Sequence, residues 1–262
     1  MGRLDGKVII TTGGTQGLGE AVALQAAREG AKGVVICGRQ IGKGATVVAK
    51  LGKLGCRGEF VKADLSRVED CRNIVRRCDE VFGRVDGLVN AAADTNRGTL
   101  LDTTPEFWDH QFAVNVRAPF LITQECVRIM QREKIEGSIV NVLSVAAACG
   151  LPILCSYSST KGALATFTKN IANALRRDRI RVNGINLGWM DSPGEHVVQA
   201  KQGSPDDWLE KAEAESAFGR LLKPEDVAEL CIYLLSDASG ILTGSNIDYA
   251  HRVMGVFPPE DA

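Results

Sequence analysis

Val8-Ile9-Ile10-Thr11-Thr12-Gly13-Gly14-Thr15-Gln16-Gly17-Leu18-Gly19-Glu20 is the stretch on which the reading of the fold turns. A β-branched run ends in glycines, and the apolar spacing of a helix follows over 18–29. Strand, tight turn and helix in immediate succession open a βα unit, the setting in which a glycine-rich loop has meaning. The glycines stand as Gly13-xxx-Gly17-x-Gly19. They permit the turn and let backbone N–H groups approach a pyrophosphate, whose charge is favoured at the positive end of the helix dipole. Gly14 to Gly19 also has the outer spacing of a nucleoside triphosphatase loop, but Glu20-Ala21 follows where that loop needs Lys and Ser/Thr. The plain alternative is a junction that uses glycine for geometry alone.

Outward from this unit the alternation repeats. Strands are predicted at Val8 to Thr12, Val34 to Cys37, Glu59 to Lys62, Gly87 to Asn90, Ser138 to Val142, Arg181 to Asn186 and Ser245 to Asp248. Between them, 18–29, 42–54, 68–82, 105–116, 120–132, 157–177 and 224–236 carry apolar residues at three- and four-residue spacing, as crossover helices do. Thr104-Pro105, Ser204-Pro205 and Lys223-Pro224 each read as a helix start, with Pro where the first N–H has no partner. The pattern predicts an α/β chain: a single-domain, doubly wound Rossmann fold over 1–262, with a seven-stranded parallel sheet and helices on both faces.

The segment after the second strand bears on the cofactor. An acidic residue there holds an adenosine ribose, and a basic one accommodates a 2′-phosphate. Val34-Val35-Ile36-Cys37-Gly38-Arg39-Gln40 has no carboxylate, and Arg39 is followed by Lys43, so NADP is favoured with NAD as the alternative. Further along, Tyr157 and Lys161 stand four apart at a helix start and share one face. A lysine charge beside a phenol, together with an oxidised nicotinamide, would bring a tyrosine from its ordinary value near 10 towards neutrality. The tyrosine then serves as a base on an alcohol or an acid on a carbonyl. The pair follows the fifth strand, whose end carries Ser144, and ligands of open α/β sheets bind beyond the carboxyl ends of strands.

Thr12-Gly13-xxx-Gly17-x-Gly19, Asp64, Asn90-Ala91, Asn115, Ser144 and Tyr157-Ser-Ser-Thr-Lys161, in this order, resemble the motif series of the short-chain dehydrogenases/reductases. The likeness runs from about Lys7 to Asp248. It implies that Ser144 positions the substrate oxygen, Tyr157 exchanges its proton, Lys161 binds the nicotinamide ribose, and Asn115 holds a water of the proton relay. It also implies a cofactor cradle of Gly13, Thr15, Gln16, Gly17, Leu18, Arg39, Asp64, Leu65, Asn90, Ala91 and Gly188, shared with Tyr157 and Lys161. Three departures stand out: Asn90-Ala91-Ala92 for Asn-Ala-Gly, Leu187-Gly188 for Pro-Gly, and Asp248-Tyr249-Ala250-His251 for Asp-Gly-Gly, with a tail containing Pro258-Pro259 beyond.

Composition narrows the function classes. With 31 Lys+Arg against 32 Asp+Glu the chain has no basic field for nucleic acid or a membrane surface. Eight cysteines without a CxxC pair, and three histidines without ligand spacing, suggest no metal site and no disulfide framework. No apolar run reaches the about 18 residues that span a bilayer, and Met1 to Gly6 carries no signal run, so a cytoplasmic location is expected. For the Gly/Pro-punctuated stretch at about 190–216, with Asp191, Glu195, His196 and Trp208, the family resemblance implies a lid that closes over substrate. With Leu151, Leu154 and Trp189 nearby, either a cyclic ketone or alcohol or a sugar-like polyol fits.

The leading expectation is therefore hydride transfer between NADP(H) and a carbonyl or secondary alcohol. The alternatives are a nicotinamide-nucleotide-sensing protein of the same fold with little activity, and a scaffold without a nucleotide site. Fold analogy adds a homotetramer or homodimer built through the helices at 105–132 and 157–177.

Overall fold

The structure is a computed structural model that describes residues 2–148 and 151–254; Cys149 and the Pro258-Pro259 tail lie outside them. Strands β1 (Val8–Thr11), β2 (Gly33–Gly38), β3 (Arg57–Lys62), β4 (Gly87–Asn90), β5 (Ser138–Ser144), β6 (Arg181–Leu187) and β7 (Asn246–Tyr249) form one sheet. Their order is β3-β2-β1-β4-β5-β6-β7, and every neighbouring pair is parallel.

Strands covered on both faces have to be apolar at successive positions, and here alternate residues feed two separate cores. Ile9, Val34, Ile36, Val89, Val140 and Ile185 pack with Val22, Ala26, Val47 and Cys231 from α1 (Gly17–Arg28), α2 (Ile41–Lys53) and α9 (Pro224–Leu235). Val8, Ile10, Val35, Cys37, Leu88 and Ile139 pack instead with Ile74, Cys78, Ile122, Cys126 and Ala172 from α3 (Val68–Phe82), α5 (Ala118–Arg132) and α6 (Cys155–Leu175). This is the predicted doubly wound Rossmann arrangement. The buried thiols belong to these cores: Cys37 and Cys231 are pushed up to about 12 by burial, and among the described residues no cysteine is paired.

The predicted strands all form, most of them with shifted ends. The predicted helices at 105–116 and 120–132 are one helical run, α4 (Pro105–Phe112), a π turn (Ala113–Arg117) and α5. Pro119 cannot donate a backbone hydrogen bond, and the widened turn ahead of it carries the helix past that gap. Thr104 caps α4 as expected, its Oγ1 accepting from the Phe107 N–H at 3.2 Å. Ser204-Pro205 starts no helix: the Ser204 hydroxyl donates to Gln199 at 2.6 Å, and α8 (Trp208–Ala214) begins only at Trp208. The helix start in this region is Ser192-Pro193, where Ser192 Oγ accepts from the Glu195 N–H at 3.2 Å and opens α7 (Pro193–Lys201).

From β1 the chain proceeds outward to β2 and β3, then returns to place β4 on the other side of β1. The strand order therefore reverses between β1 and β4, and a crevice opens beyond their carboxyl ends, where ligands of such sheets bind. Thr12, Ala91 and Ala92 line it, held together by the Thr12 hydroxyl, which accepts from the Ala91 and Ala92 N–H groups at 3.0 and 3.1 Å.

Candidate active site

At the floor of the crevice the glycine turn has the shape the sequence predicts. Gly13 and Gly17 have φ of +68° and +56°, in the left-handed region where other residues are strained. A Cβ on Gly19 would lie 2.4 Å from the Gly13 carbonyl oxygen, so only glycine lets the first turn of α1 close onto the loop. Thr15 packs against Gly38 at the end of β2, Leu18 is buried in the first turn of α1, and the Gln16 side chain accepts from Lys43 Nζ at 2.6 Å. Lys43 is thus engaged, whereas Arg39 is exposed and has no ion pair among the described residues.

Beyond β3, Asp64 Oδ1 accepts from the Ser66 N–H at 3.0 Å and from the Ser66 hydroxyl at 2.8 Å. These bonds, with a smaller contribution from the Arg39 charge, hold the Asp64 carboxyl below its ordinary value. Leu65 beside it is half-buried against the second core. At the end of β4, the Asn90 side chain donates to Asn141 at 2.8 Å, while its own Oδ1 is buried without a partner among the described residues. Across the sheet, the Gly188 N–H donates to the Tyr249 carbonyl at 3.0 Å, and a Cβ on Gly188 would come within 2.8 Å of Ala250 Cβ. Departure from Pro-Gly and Asp-Gly-Gly is therefore accommodated by pairing this glycine with Ala250.

Three of the four residues singled out for chemistry converge beyond β5, and the fourth, Asn115, reaches the same helix through Thr160. Ser144 ends that strand, opposite Leu187 of β6, and its Oγ accepts from the Ala146 N–H at 3.1 Å. Tyr157 and Lys161 sit in the first two turns of α6, with Lys161 Nζ 5.6 Å from the centre of the Tyr157 ring. Lys161 is 2% exposed and donates to the Val142 carbonyl at 2.7 Å. Asn115 lies in the π turn; its Oδ1 accepts from the Asp94 N–H at 2.7 Å, and its Nδ2 donates to the Asp94 carbonyl at 2.9 Å and to Thr160 at 3.1 Å.

Burial dominates the electrostatics. It pushes the Tyr157 phenol up to about 12, against the Ser144 hydrogen bond that favours ionisation, and pushes the Lys161 ammonium down to about 8. Tyr157 keeps some exposed surface as a residue, but its phenol end is enclosed enough for desolvation to win. In the protein alone, then, the lysine does not bring the phenol towards neutrality.

Two parts of the site carry no local motif. Gln111 is fully buried, donates to the Asp94 and Asn96 carbonyls and accepts from the Ser156 hydroxyl at 2.5 Å, so it ties the loop after β4 to the start of α6. Arg97 on that loop binds Glu195 of α7 at 2.7 Å. In the same region His196 meets Asp191 at 2.7 Å and lies edge-on to Trp208, which in turn stacks on Trp189. His110 lies 3.6 Å from Asp94, and His251 Nδ1 has no partner among the described residues. Among the described residues no group of three His, Cys, Asp or Glu is placed to hold a metal ion, and no helix is long and apolar enough to cross a membrane.

Residues 13–249 match the sequence family described as enoyl-(acyl carrier protein) reductase. The chain is 35% identical to dehydrogenase/reductase SDR family member 6 of Aquarana catesbeiana, over 97% of this chain and 98% of that protein. It is 33% identical to the NADP-dependent (R)-specific alcohol dehydrogenase of Lentilactobacillus kefiri, over 93% and 94% of the two chains. Among solved structures, an actinorhodin polyketide ketoreductase variant with NADPH superposes with a TM-score of 0.87 at 26% identity, covering 96% of this chain and 98% of the other. Fold, motif geometry and full-length likeness together make this chain a member of the short-chain dehydrogenase/reductase family and a nicotinamide-dependent oxidoreductase.

Proposed function

We propose that this enzyme interconverts a secondary alcohol and its carbonyl with NADP(H), and that Tyr157 is the general acid/base. The observation that carries the reading is the convergence of Ser144, Tyr157 and Lys161 at one spot beyond β5, beside the crevice where the strand order reverses.

The residues present fit a dinucleotide. Gly13 and Gly17 leave the turn open to a pyrophosphate, the unpartnered Asn90 Oδ1 offers a buried acceptor, and Arg39 is free to meet a 2′-phosphate. Asp64 and Leu65 border the adenine end, and Gly188 borders the nicotinamide end. The coenzyme supplies the hydride or takes it up at its nicotinamide ring, which is positively charged when oxidised.

The protein's own residues handle the oxygen and its proton. Ser144 orients the substrate oxygen towards the phenol. In oxidation Tyr157 takes the hydroxyl proton as the carbon loses its hydride; in reduction it returns a proton to the oxygen that forms. Lys161, held by Val142, places its charge on the ribose side of the phenol. Asn115 is locked by Asp94 and Thr160, and the π turn around it leaves a carbonyl for a water that relays the proton outward. Residues 190–216, containing α7 and α8, form the lid. The exposed aromatic Phe120 on α5, edge-on to Phe167 of α6, supports an oligomer built on these helices.

Titration of NADPH against NADH, followed by nucleotide fluorescence, establishes the preferred coenzyme. Tyr157→Phe is then expected to lose about 1,000-fold in turnover, with NADPH affinity kept within about threefold. A Tyr157→Phe protein with undiminished turnover refutes the assignment.

A further inference from the structure

Above Ser144 and Tyr157 the two walls of the site are joined by charge. Gly98 pairs with the start of α6, its N–H donating to Ile153 at 2.9 Å and its carbonyl accepting from Cys155 at 3.2 Å. Arg97 therefore stands beside the helix turn that carries Tyr157. Its guanidinium donates to Glu195 Oε1 at 2.7 Å and to Gln202 Oε1 at 2.5 Å. From the other wall Trp189, which follows Leu187 and Gly188 opposite Ser144, donates its Nε1–H to the same Glu195 oxygen at 2.9 Å, as does Gln199 at 2.6 Å. All three donors converge on Oε1, and Oε2 has no partner among the described residues. The side chains of Arg97 and Glu195 are 20% and 13% exposed, so the pair is mostly buried without being sealed from solvent. Both charges act on the Tyr157 phenol, Glu195 raising it and Arg97 lowering it.

Substrate classes differ in how they meet such a pair. An apolar ring closing over it would strip water from two charges and give nothing back. An anion gains little from Arg97, whose charge Glu195 already balances, and is repelled by the free carboxylate oxygen. A hydroxyl group is both donor and acceptor, so neighbouring hydroxyls can donate a hydrogen bond to Oε2 and accept one from the guanidinium. The Trp189 indole, 39% exposed, adds an apolar face for the C–H edges of the same molecule.

We propose that the substrate is a polyhydroxylated carbonyl compound or alcohol, a sugar or polyol, and that Arg97 and Glu195 recognise the hydroxyl groups next to its reacting carbon. This rests on the hydride-transfer reading and narrows it.

The test compares xylitol and sorbitol with cyclohexanol and lactate, each oxidised with NADP+. A polyol is expected to exceed both comparators at least tenfold in kcat/KM. Glu195→Gln, which keeps an acceptor for Arg97, is expected to raise the polyol KM by about tenfold or more and to move the cyclohexanol KM by a smaller factor. Arg97→Lys provides a second variant with the charge retained. Binding without turnover is read by titrating polyol into NADP+-loaded protein and following tryptophan fluorescence, with saturation expected in the parent and weakened at least tenfold in Glu195→Gln. Preference for cyclohexanol or lactate overturns the proposal, and so do KM shifts equal for both substrate classes. If no alcohol is oxidised although NADP+ binds, hydride transfer itself is the reading that fails, and the fluorescence titration still decides whether polyols bind here.

Discussion

Replacing Lys161 by methionine is expected to make the coenzyme-free protein more stable while ending its activity. The side chain is 2% exposed, and among the described residues no carboxylate pairs with it; its one partner is the Val142 carbonyl. Burial alone moves the ammonium from 10.5 down to about 8. Between those two values the unfolded chain binds a proton that the folded chain does not, so this residue's contribution to stability rises with pH across that window. Below pH 8 both states are protonated and the folded state bears the full desolvation cost, about 3 kcal/mol at 1.36 kcal/mol per pKa unit. Methionine has similar length and no charge, and it removes this cost while leaving the Val142 carbonyl without its donor, a loss of about 1 kcal/mol. The net gain at pH 7 is about 2 kcal/mol, or about 5 °C in Tm for a chain of this size. Thermal unfolding of both proteins by circular dichroism at pH 7 and pH 10 measures it. Comparing the two proteins at each pH cancels every other titrating group. Most of the gain should be gone at pH 10, where the parent lysine is already neutral in the fold. A variant less stable than the parent at pH 7, or a gain of the same size at both pH values, refutes the desolvation argument.

Two further substitutions probe the remaining parts of the site. Arg39→Ala is expected to weaken NADPH by about tenfold or more and NADH by less than about threefold in a fluorescence titration, since only the former presents a 2′-phosphate to the guanidinium. Equal losses for the two coenzymes would remove Arg39 from that role. Gln111→Ala withdraws the donor of two loop carbonyls and the acceptor of the Ser156 hydroxyl in a fully buried place. A destabilisation of about 2 to 3 kcal/mol by urea unfolding is expected, together with a larger fall in kcat than in coenzyme affinity. Loss of stability with kcat intact would make Gln111 a structural residue only.

What was legible in the sequence was what depends on neighbours in the chain. Val8 to Thr11 and the glycines that follow Thr12 had to be a strand and a turn, because their β-branching and their freedom from Cβ are local properties. Tyr157 and Lys161 share a helix face for the same reason. The ends of β2, β3 and β5 were missed by one or two residues because pairing partners, not propensity, decide where a ladder stops. Ser204-Pro205 misled because a serine before a proline suits a helix start, yet Gln199 claimed that hydroxyl first. The π turn at Ala113–Arg117 has no compositional signature beyond Pro119.

The Arg97–Glu195 pair was illegible for a stronger reason: its members lie on opposite walls and are brought together only when β4 and β6 take their places in the sheet. The same distinction holds for the proton chemistry. Spacing alone predicts a lysine charge that eases ionisation of the phenol, but folding buries both groups and moves each towards its neutral form. For Tyr157 to act as a base near neutrality, its phenol has to descend from about 12; the Ser144 hydrogen bond and the Arg97 charge favour that descent, while burial and Glu195 oppose it. On the proposed mechanism the positive ring of the oxidised coenzyme would supply the remaining stabilisation of a phenolate. On that mechanism base strength belongs to the loaded enzyme, while the coenzyme-free protein keeps Tyr157 protonated across the neutral range.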